Sequence, residues 1–341
     1  TCIQASGTVT FAFAKIGHLT CPGAQYVGDL NIVDIGIPPF ISDGVAPRQI
    51  LLNSEKIKTY ITRRDPGAHK GSTGHLLALC GSPGKTGAAA MAAVSAMRAG
   101  AGLVTLGIPE SLNSVVEPQV TEVMTWPLPE TGDGRLDASA LDRVVGLLSG
   151  KSCVAIGPGL GTSPETGCLL QDLLPRIEVP LVIDADGINL LAGRLDLLNA
   201  VHAPVILTPH PGEMANLLGT TPLAVQRDRI GCARGFAEAH NVYVVLKGAG
   251  TVVAHPDGMV YLNPTGNSGM ASGGMGDVLT GLIAGFLTQG YRQEAAVHTG
   301  VYLHGSAADH LFEKQGPFGF LATEVMNRIP EEIRIHYENI A

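Results

Sequence analysis

Short, almost continuous apolar runs alternate with segments of helical periodicity along most of this chain. We predict the apolar runs as strands, at 75–80, 102–108, 152–157, 180–184, 204–208 and 242–246. The segments of helical spacing predict helices, at 85–99, 137–149, 164–174, 186–192, 212–218, 222–240, 275–289, 292–313 and 320–328. Strands that are apolar on both faces are typical of a parallel sheet covered by helices on each side. The pattern therefore predicts an α/β protein with three layers, α/β/α, around a mainly parallel central sheet.

The pattern changes at both ends of this region. Residues 1–50 contain two predicted strands, 8–13 and 31–37, but are too few to bury a core of their own. Two short runs around Pro256-Asp-Gly258 predict a hairpin that follows the last parallel strand. We therefore predict a partial N-terminal domain, a polar linker, a main domain and a tail, at 1–50, 51–71, 72–330 and 331–341.

Composition narrows the classes of partner. The 341 residues carry 22 Lys and Arg against 30 Asp and Glu, which gives a formal charge of −8, and the sequence has no basic run. Such a charge disfavours nucleic acid or an anionic membrane as a partner. Small molecules held by backbone amides and a few local cations are the better expectation.

The cysteines and the lack of a leader predict the compartment. None of the six cysteines forms a C-x-x-C pair or has zinc-type spacing, and Cys80 and Cys153 lie in apolar runs where we expect them to be buried. No signal peptide is visible, and no apolar run reaches the ~18 residues of a membrane span. We therefore predict a cytoplasmic protein. The chain begins at Thr1 without a Met, so we expect its natural N-terminus to be missing or processed.

A glycine-rich loop that runs into an apolar helix carries the strongest chemical signal. It reads Asn267-Ser-Gly-Met-Ala-Ser-Gly-Gly-Met-Gly-Asp277. Glycine lets the main chain approach a ligand, and the free amides at the start of the next helix favour a phosphate. Asp277 stands where a general base would take a proton from a hydroxyl beside that phosphate. The alternative is an ordinary turn whose acid stabilises the helix dipole.

Two further loops follow predicted strands, at the edge where open α/β sheets bind ligands. Lys247-Gly-Ala-Gly-Thr251 offers a cation and a hydroxyl to a phosphate chain, or is an exposed turn. In Thr208-Pro-His-Pro-Gly-Glu213 the prolines fix the directions of His210 and Glu213, which are either ligands or a loop histidine and a first-turn acid. Their H-x-x-E spacing is not that of a zinc site, so no direct metal ligand is predicted.

Polar residues elsewhere in the chain are compatible with more than one role. Asp184 and Asp186 end a buried strand, where they hold ribose or substrate hydroxyls or a hydrated Mg²⁺, or cap the next helix. His298, His304 and Asp309 lie at near-helical spacing, which favours core or surface roles over ligand roles.

Two loops resemble nucleotide motifs without matching them. Gly81-Ser-Pro-Gly-Lys85-Thr86 looks like a Walker A loop, but Leu79 stands where that motif needs a glycine. Gly157-Pro-Gly-Leu-Gly161 looks like a dinucleotide fingerprint whose third glycine falls one position early. A close backbone approach to a ligand remains open at the second loop, whereas a Rossmann NAD site is not expected.

Several stretches in a fixed order carry a resemblance to a known family, at 69–74, 87–93, 98–105, 157–161, 184–189, 208–213, 246–251 and 263–277. Together they resemble the ADP- or ATP-dependent NAD(P)H-hydrate dehydratases, a branch of the ribokinase-like superfamily, over about residues 60–330. The resemblance implies a ribokinase-like fold. The first 40 residues are similar to the last strands of NAD(P)H-hydrate epimerase. Because the early part of that domain, with its catalytic acid and cation site, is absent here, we expect no epimerase activity from this chain.

The resemblance also implies roles for single residues. Asp277 would be the catalytic base. Nucleotide binding would fall to the following residues: Lys247, Gly248, Ala249, Gly250, Thr251, Asn267, Gly273, Gly274 and Gly276. The hydrate would be bound by a second set: Ala88, Gly159, Gly161, His210, Glu213, Asp184 and Asn189.

The implied reaction is dehydration of the hydrates (S)-NADHX and (S)-NADPHX to NADH and NADPH, a repair of damaged cofactor. ADP or ATP would donate a phosphoryl group, and Mg²⁺ would bridge its phosphates mostly through water. The His-Pro-Gly-Glu form of the 208–213 loop resembles the bacterial, ADP-using branch. The alternatives are a ribokinase-type small-molecule kinase, such as a vitamin-precursor kinase, and a nucleotide sensor without catalysis. The apolar stretches also lead us to expect a homo-oligomer.

Overall fold

A ten-stranded sheet runs through the part of the chain that the computed structural model describes, residues 2–45 and 47–337. The strands of the structure are β1 (Gly7–Phe11), β2 (Asp29–Val33), β3 (Gln49–Leu51), β4 (His75–Leu79), β5 (Leu103–Pro109), β6 (Met124–Leu128), β7 (Cys153–Ile156), β8 (Leu181–Ile183), β9 (Val205–Leu207), β10 (Tyr243–Leu246), β11 (Val252–Ala254) and β12 (Val260–Leu262). The helices are α1 (Ile16–Leu19), α2 (Pro39–Val45), α3 (Ser54–Tyr60), α4 (Thr86–Ala99), α5 (Asn113–Val116), α6 (Leu141–Leu148), α7 (Pro164–Leu173), α8 (Asp186–Leu191), α9 (Asp196–Asn199), α10 (Pro211–Leu218), α11 (Pro222–Arg227), α12 (Arg229–His240), α13 (Met275–Thr288), α14 (Gln293–Gln315) and α15 (Ala322–Tyr337).

The strand order in the large sheet is β3-β12-β11-β10-β9-β8-β7-β4-β5-β6. All pairs are parallel except those of β11, which runs antiparallel to both β10 and β12. The predicted parallel strands and the hairpin after them are therefore confirmed, as is the mainly parallel sheet.

Two apolar layers enclose this sheet. In β4, Leu76 and Ala78 point into one layer, with α3, α4, α13, α14 and α15, whereas Leu77 and Leu79 point into the other, with α6, α7, α8, α10 and α12. Alternate residues of one strand thus serve opposite faces, as expected for a sheet buried on both sides. Cys80 and Cys153 are buried, as predicted.

The sequence pattern did not predict either of the two edge strands of the sheet, β3 and β6. β6 contains Pro127, which has no amide hydrogen and is tolerated because β6 has a partner on one side only. At the other edge, β3 pairs with β12, and α3 follows it within the predicted linker. Leu52 and Ile57 are fully buried in the core, so part of that polar segment packs on the main sheet.

Two helix predictions need correction. The helix expected over 222–240 is two helices, because Asp228 leaves helical geometry and its side chain accepts a hydrogen bond from the Gly231 amide, which caps α12. α15 continues to Tyr337 rather than ending near 328, through Pro330, and buries Glu332. The predicted tail therefore starts inside a helix, and its residues 338–341 lie outside the described residues.

The N-terminal segment forms a sheet of its own. β1 and β2 pair in parallel, and their large apolar side chains are mostly exposed, with Val9 62% and Phe11 59% accessible. Leu19 packs against the second apolar layer of the main sheet. The domain boundaries proposed from the sequence stay predictions. Within the described residues, no helix is long and apolar enough to span a membrane.

Candidate active site

The candidate site lies along the carboxyl ends of five neighbouring strands. β10, β9, β8, β7 and β4 stand side by side, so the loops that follow them are brought together at one edge. Each loop carries predicted site residues or their neighbours, in the sheet order Lys247–Thr251, His210–Glu213, Asp184–Asp186, Gly157–Gly161 and Gly81–Lys85.

α13 brings Asp277 to this edge. The helix begins after Gly274, which has a φ of +90° that favours glycine, and it packs closely against α4. A Cβ at Gly281 would lie 1.9 Å from the Ser95 hydroxyl oxygen and 2.1 Å from the Ala92 carbonyl oxygen. The Ser95 hydroxyl donates a hydrogen bond of 2.9 Å to the Val278 carbonyl. Small residues thus let α13 pack closely on α4.

A buried ion pair occupies the centre of the edge. Lys247 Nζ lies 2.7 Å from Asp184 Oδ1, and the Thr280 hydroxyl donates to Asp184 Oδ2 at 2.7 Å. Burial favours the neutral form of Lys247, but the charges of Asp184 and Glu213 outweigh burial and raise the pKa of this ammonium. Lys247 therefore stays a cation beside the first turn of α13.

Asp277 is half-buried next to this pair. No hydrogen-bond or salt-bridge partner of its carboxylate lies within residues 2–45 and 47–337. Burial, and after it the charge of Asp184, raises the pKa of Asp277 to about 6, although Lys247 acts in the opposite direction. A carboxylate with this pKa and no internal partner is suited to accept a proton near neutral pH.

His210 and Glu213 form a compact unit at the start of α10. His210 Nδ1 accepts hydrogen bonds from the amides of Gly212 and Glu213, at 3.0 and 3.1 Å. The ring proton of a neutral His210 therefore lies on Nε2, which is 3.2 Å from Glu213 Oε1. Glu213 also accepts from the His210 amide at 2.7 Å. Burial raises the pKa of Glu213, and Lys247 opposes this rise.

The remaining predicted hydrate residues lie on the far side of Asp184. Asp186 Oδ2 accepts from the Gly161 amide at 2.9 Å and from Lys85 Nζ at 2.8 Å. A Cβ at Gly159 would lie 3.3 Å from that of Ala88, so these two are neighbours. Asn189 lies farther out, where its side chain accepts from Asn216 on α10.

Backbone strain marks the turn between the two aspartates. Ala185 has a φ of 51°, a value that is unfavourable for a residue with a Cβ. This conformation directs Asp184 towards Lys247 and Asp186 towards Lys85. Strained residues of this kind concentrate at functional sites.

A cavity of about 470 Å³ opens beside Lys247. It brings together most of the residues predicted to bind the nucleotide. Its lining includes Lys247, Gly248, Ala249, Gly250, Thr251, Asn263, Thr265, Gly266, Asn267, Ser268, Met270, Ala271, Met275, Gly276, Leu279, Val301, His304 and Gly305. Gly273 and Gly274 lie outside this lining, in the turn that precedes α13.

Two residues outside the predicted site hold this cavity in shape: Arg229, which the sequence did not single out, and Asp309, for which it favoured a core or surface role. Arg229, at the start of α12, donates to the carbonyls of Ala249 and Leu246 at 2.7 and 2.9 Å. Asp309 accepts from the Gly266 amide at 2.9 Å and from the Asn267 side chain at 2.8 Å. No local motif identifies either residue, because each acts on a loop far away in the sequence.

Most of the acidic side chains of this edge are bound by other protein groups rather than arranged around a metal ion. In the described part of the chain, no group of three or more His, Cys, Asp and Glu side chains is arranged to hold a metal ion. The carboxylates of this edge are engaged by Lys247, Thr280, His210 and Lys85, apart from that of Asp277.

Known proteins share this sequence and architecture. A model of the NAD(P)H-hydrate dehydratase family matches residues 76–331. The bifunctional NAD(P)H-hydrate repair enzyme Nnr of Moorella thermoacetica is 45% identical over 98% of this chain, which spans 63% of the length of that relative.

Solved structures agree with this result. The ADP/ATP-dependent NAD(P)H-hydrate dehydratase of Bacillus subtilis, co-crystallised with ATP and Mg²⁺, is 32% identical with a TM-score of 0.74, covering 84% of this chain and 98% of that one. A ribokinase-like superfamily protein of Enterococcus faecalis is 24% identical with a TM-score of 0.73, over 85% of this chain and 96% of its own, which shows the fold. The predicted fold and the family resemblance are thus confirmed: the chain has a ribokinase-like α/β/α fold and belongs to the NAD(P)H-hydrate dehydratase family.

Proposed function

We propose that this chain dehydrates (S)-NADHX and (S)-NADPHX to NADH and NADPH, with ADP or ATP as the phosphoryl donor. One observation carries the proposal beyond family membership. The Asp277 carboxylate, which has no partner in the described part of the chain and a pKa raised to about 6, lies within electrostatic reach of Asp184, Lys247 and Glu213. A base in this position reaches a hydroxyl on one side and a phosphoryl group on the other.

The first step moves a phosphoryl group. Asp277 takes the proton of the hydrate's hydroxyl, and the hydroxyl oxygen forms a bond to the terminal phosphorus of the donor. The bond from that phosphorus to the bridging oxygen breaks, so ADP leaves as AMP, or ATP as ADP. Lys247 and the amides of the first turn of α13, at Gly276, stabilise the charge on the transferred group.

The second step eliminates phosphate. Hydroxide is a poor leaving group, whereas the phosphate ester next to the ring nitrogen leaves readily. The nitrogen lone pair forms a double bond to carbon as phosphate departs, and loss of a proton from the neighbouring carbon restores the dihydronicotinamide. The hydroxyl oxygen thus ends in inorganic phosphate.

His210 and Glu213 act on the substrate rather than on the donor. The His210 ring is held by two backbone amides that donate to its Nδ1, so the position of Nε2, 3.2 Å from Glu213 Oε1, is fixed. A pre-oriented donor of this kind positions the hydrate without a cost of ordering the side chain.

Mg²⁺ fits the donor set of this edge. Its oxygen ligands would be phosphate and water, since the Asp184 and Glu213 carboxylates are already engaged by Lys247 and His210 but keep acceptor capacity for water. When bound, the ion supplies charge neutralisation between the phosphates of the donor.

The test is recovery of the reduced-nicotinamide absorbance band. Chemically hydrated NADH is incubated with the protein, Mg²⁺, and ADP or ATP in separate cuvettes, and phosphate is measured in parallel. We expect absorbance and phosphate to rise in equal amounts with at least one nucleotide. A stable phosphorylated product without absorbance recovery would favour the small-molecule kinase, and nucleotide binding without turnover would favour the sensor.

Three further assignments belong to this proposal: the homo-oligomer, the cytoplasmic location, and the kinship of residues 1–50 with the epimerase. Light scattering of the purified protein tests the first. The assay above, run with the (R) epimer of the hydrate, tests the accompanying expectation that this chain has no epimerase activity, since such a chain leaves that epimer unrepaired.

A further inference from the structure

His304 lines the nucleotide cavity and carries a polar atom that the protein leaves unpaired. It lies on α14, lines the cavity of about 470 Å³, and is only 6% exposed. Its Nε2 is buried and has no hydrogen-bond partner in the described part of the chain. Buried polar atoms are nearly always paired, so an unpaired atom on a residue that lines a cavity points to a ligand atom as its missing partner.

Three other polar side chains of the same lining are already paired. The Asn263 amide donates to Thr265 Oγ1 at 3.0 Å, and the Thr265 hydroxyl lies 2.9 Å from the Tyr302 carbonyl oxygen. The Asn267 side chain is held by Asp309. Binding energy from these groups would require breaking existing bonds, whereas His304 offers a bond that the protein does not yet make.

The position within the cavity indicates which part of the donor meets this atom. The transferred phosphoryl group must reach Asp277, so the phosphates belong beside Lys247 and Gly276. α14 contributes uncharged lining around His304, namely Val301 and Gly305, and Leu279 of α13 faces the same space. Such surroundings suit a nucleoside rather than a phosphate.

We infer that His304 hydrogen-bonds the nucleoside part of the phosphoryl donor, its base or its ribose, and is a specificity-determining residue for the nucleotide. The inference rests on the proposed function. Burial, followed by the nearby Lys247 charge, lowers the pKa of His304 to about 4. The imidazole is therefore neutral at pH 7, and the bond is one between neutral groups.

The test compares ADP with inorganic tripolyphosphate, which has phosphates and no nucleoside. His304→Phe keeps a planar ring and removes the nitrogen, so we expect the Kd for ADP to rise ~3- to 12-fold, the equivalent of one neutral hydrogen bond, with the Kd for tripolyphosphate unchanged. His304→Gln, which returns a polar atom, should recover part of the affinity for ADP. His202→Phe, a change at an exposed histidine in the loop that precedes β9, is the control.

A wild-type measurement makes the test independent of how the variants fold. The ring nitrogen resonance that His304→Gln removes should shift when ADP is added and stay in place with tripolyphosphate. A resonance insensitive to ADP, or a His304→Phe variant that binds ADP like the wild type or loses both ligands equally, overturns the inference. A wild type that binds no nucleotide overturns the proposed function, and this inference with it.

Discussion

Lys247 Nζ lies 2.7 Å from Asp184 Oδ1, and Asp184 is 1% exposed. Lys247 follows β10 and Asp184 follows β8, and β9 lies between these two strands in the sheet. The pair therefore spans the loop of β9, which carries His210 and Glu213, and Glu213 Oε2 lies 3.9 Å from the same ammonium. One cation thus connects the nucleotide cavity to the predicted hydrate side.

The first prediction concerns this pair. Lys247→Met leaves a buried carboxylate without its cation, so we expect the free energy of unfolding to fall by about 3 kcal/mol and ADP binding to be lost. In Lys247→Met with Asp184→Asn, the uncompensated charge is gone, and stability should recover in part while ADP binding does not. Urea unfolding and calorimetric titration measure the two effects. Stability losses that simply add in the double variant would contradict the coupling.

The second prediction concerns catalysis by Asp277. Asp277→Asn keeps the shape of the side chain but cannot accept the proton, so kcat should fall by ~10²- to 10⁴-fold while the Kd for ADP changes little. Asp142→Asn is the matched control, since Asp142 is an acid in the first turn of α6, where an acid stabilises the helix dipole. Equal turnover by Asp277→Asn and the wild type would exclude Asp277 as the base.

The third prediction is that the titration of Asp277 appears in the pH dependence of folding stability. The pKa of Asp277 is raised from 3.8 to about 6 in the folded protein, so between these values the folded state binds more protons than the unfolded state. Stability therefore decreases as the pH rises from 4 to 6, by up to about 3 kcal/mol for this residue. Asp277→Asn removes this loss, and the variant should unfold at a higher temperature than the wild type at pH 8 but not at pH 4. A pH-independent difference in Tm would show that Asp277 titrates normally.

The sequence predicted the inner strands and the ligand edge because their signals are local. Strands buried on both faces read as unbroken apolar runs, and the loop that ends in Asp277 joins glycines to a helix start. Edge strands β3 and β6 lack such runs because each has one partner and exposed side chains, such as Trp126 at 48%. The cavity also depends on contacts that periodicity does not encode. Arg229 and Asp309 bind loops 17 or more residues away in the sequence, and His304 reaches the lining through tertiary packing.

The fourth prediction separates substrate from donor. His210→Ala removes the oriented Nε2 donor, so KM for the hydrate should rise by ~10-fold or more while KM for the nucleotide stays within a factor of ~2, as for loss of a substrate-binding hydrogen bond. His210→Gln tests whether a polar side chain alone is sufficient. Initial rates over a grid of both substrate concentrations give the two constants. A parallel rise in both would place His210 elsewhere in the mechanism.

The last prediction concerns the space beside Gly276. A Cβ there would lie 3.2 Å from Lys247 Nζ, the far end of a flexible side chain, so Gly276→Ala should fold. The added methyl group occupies the gap between the first turn of α13 and the ammonium, where the proposed function puts a phosphoryl group. We therefore expect affinity for ADP to fall by at least ~10-fold, because the phosphate loses its approach to the main chain, with Tm within a few degrees of the wild type. Gly235→Ala is the matched control, since Gly235 is an exposed helical glycine in α12 whose added Cβ meets nothing within 4 Å. Unchanged affinity in Gly276→Ala would mean that the phosphates lie elsewhere in the cavity. A large drop in Tm would show that the Lys247 side chain cannot move to make room for the added methyl group.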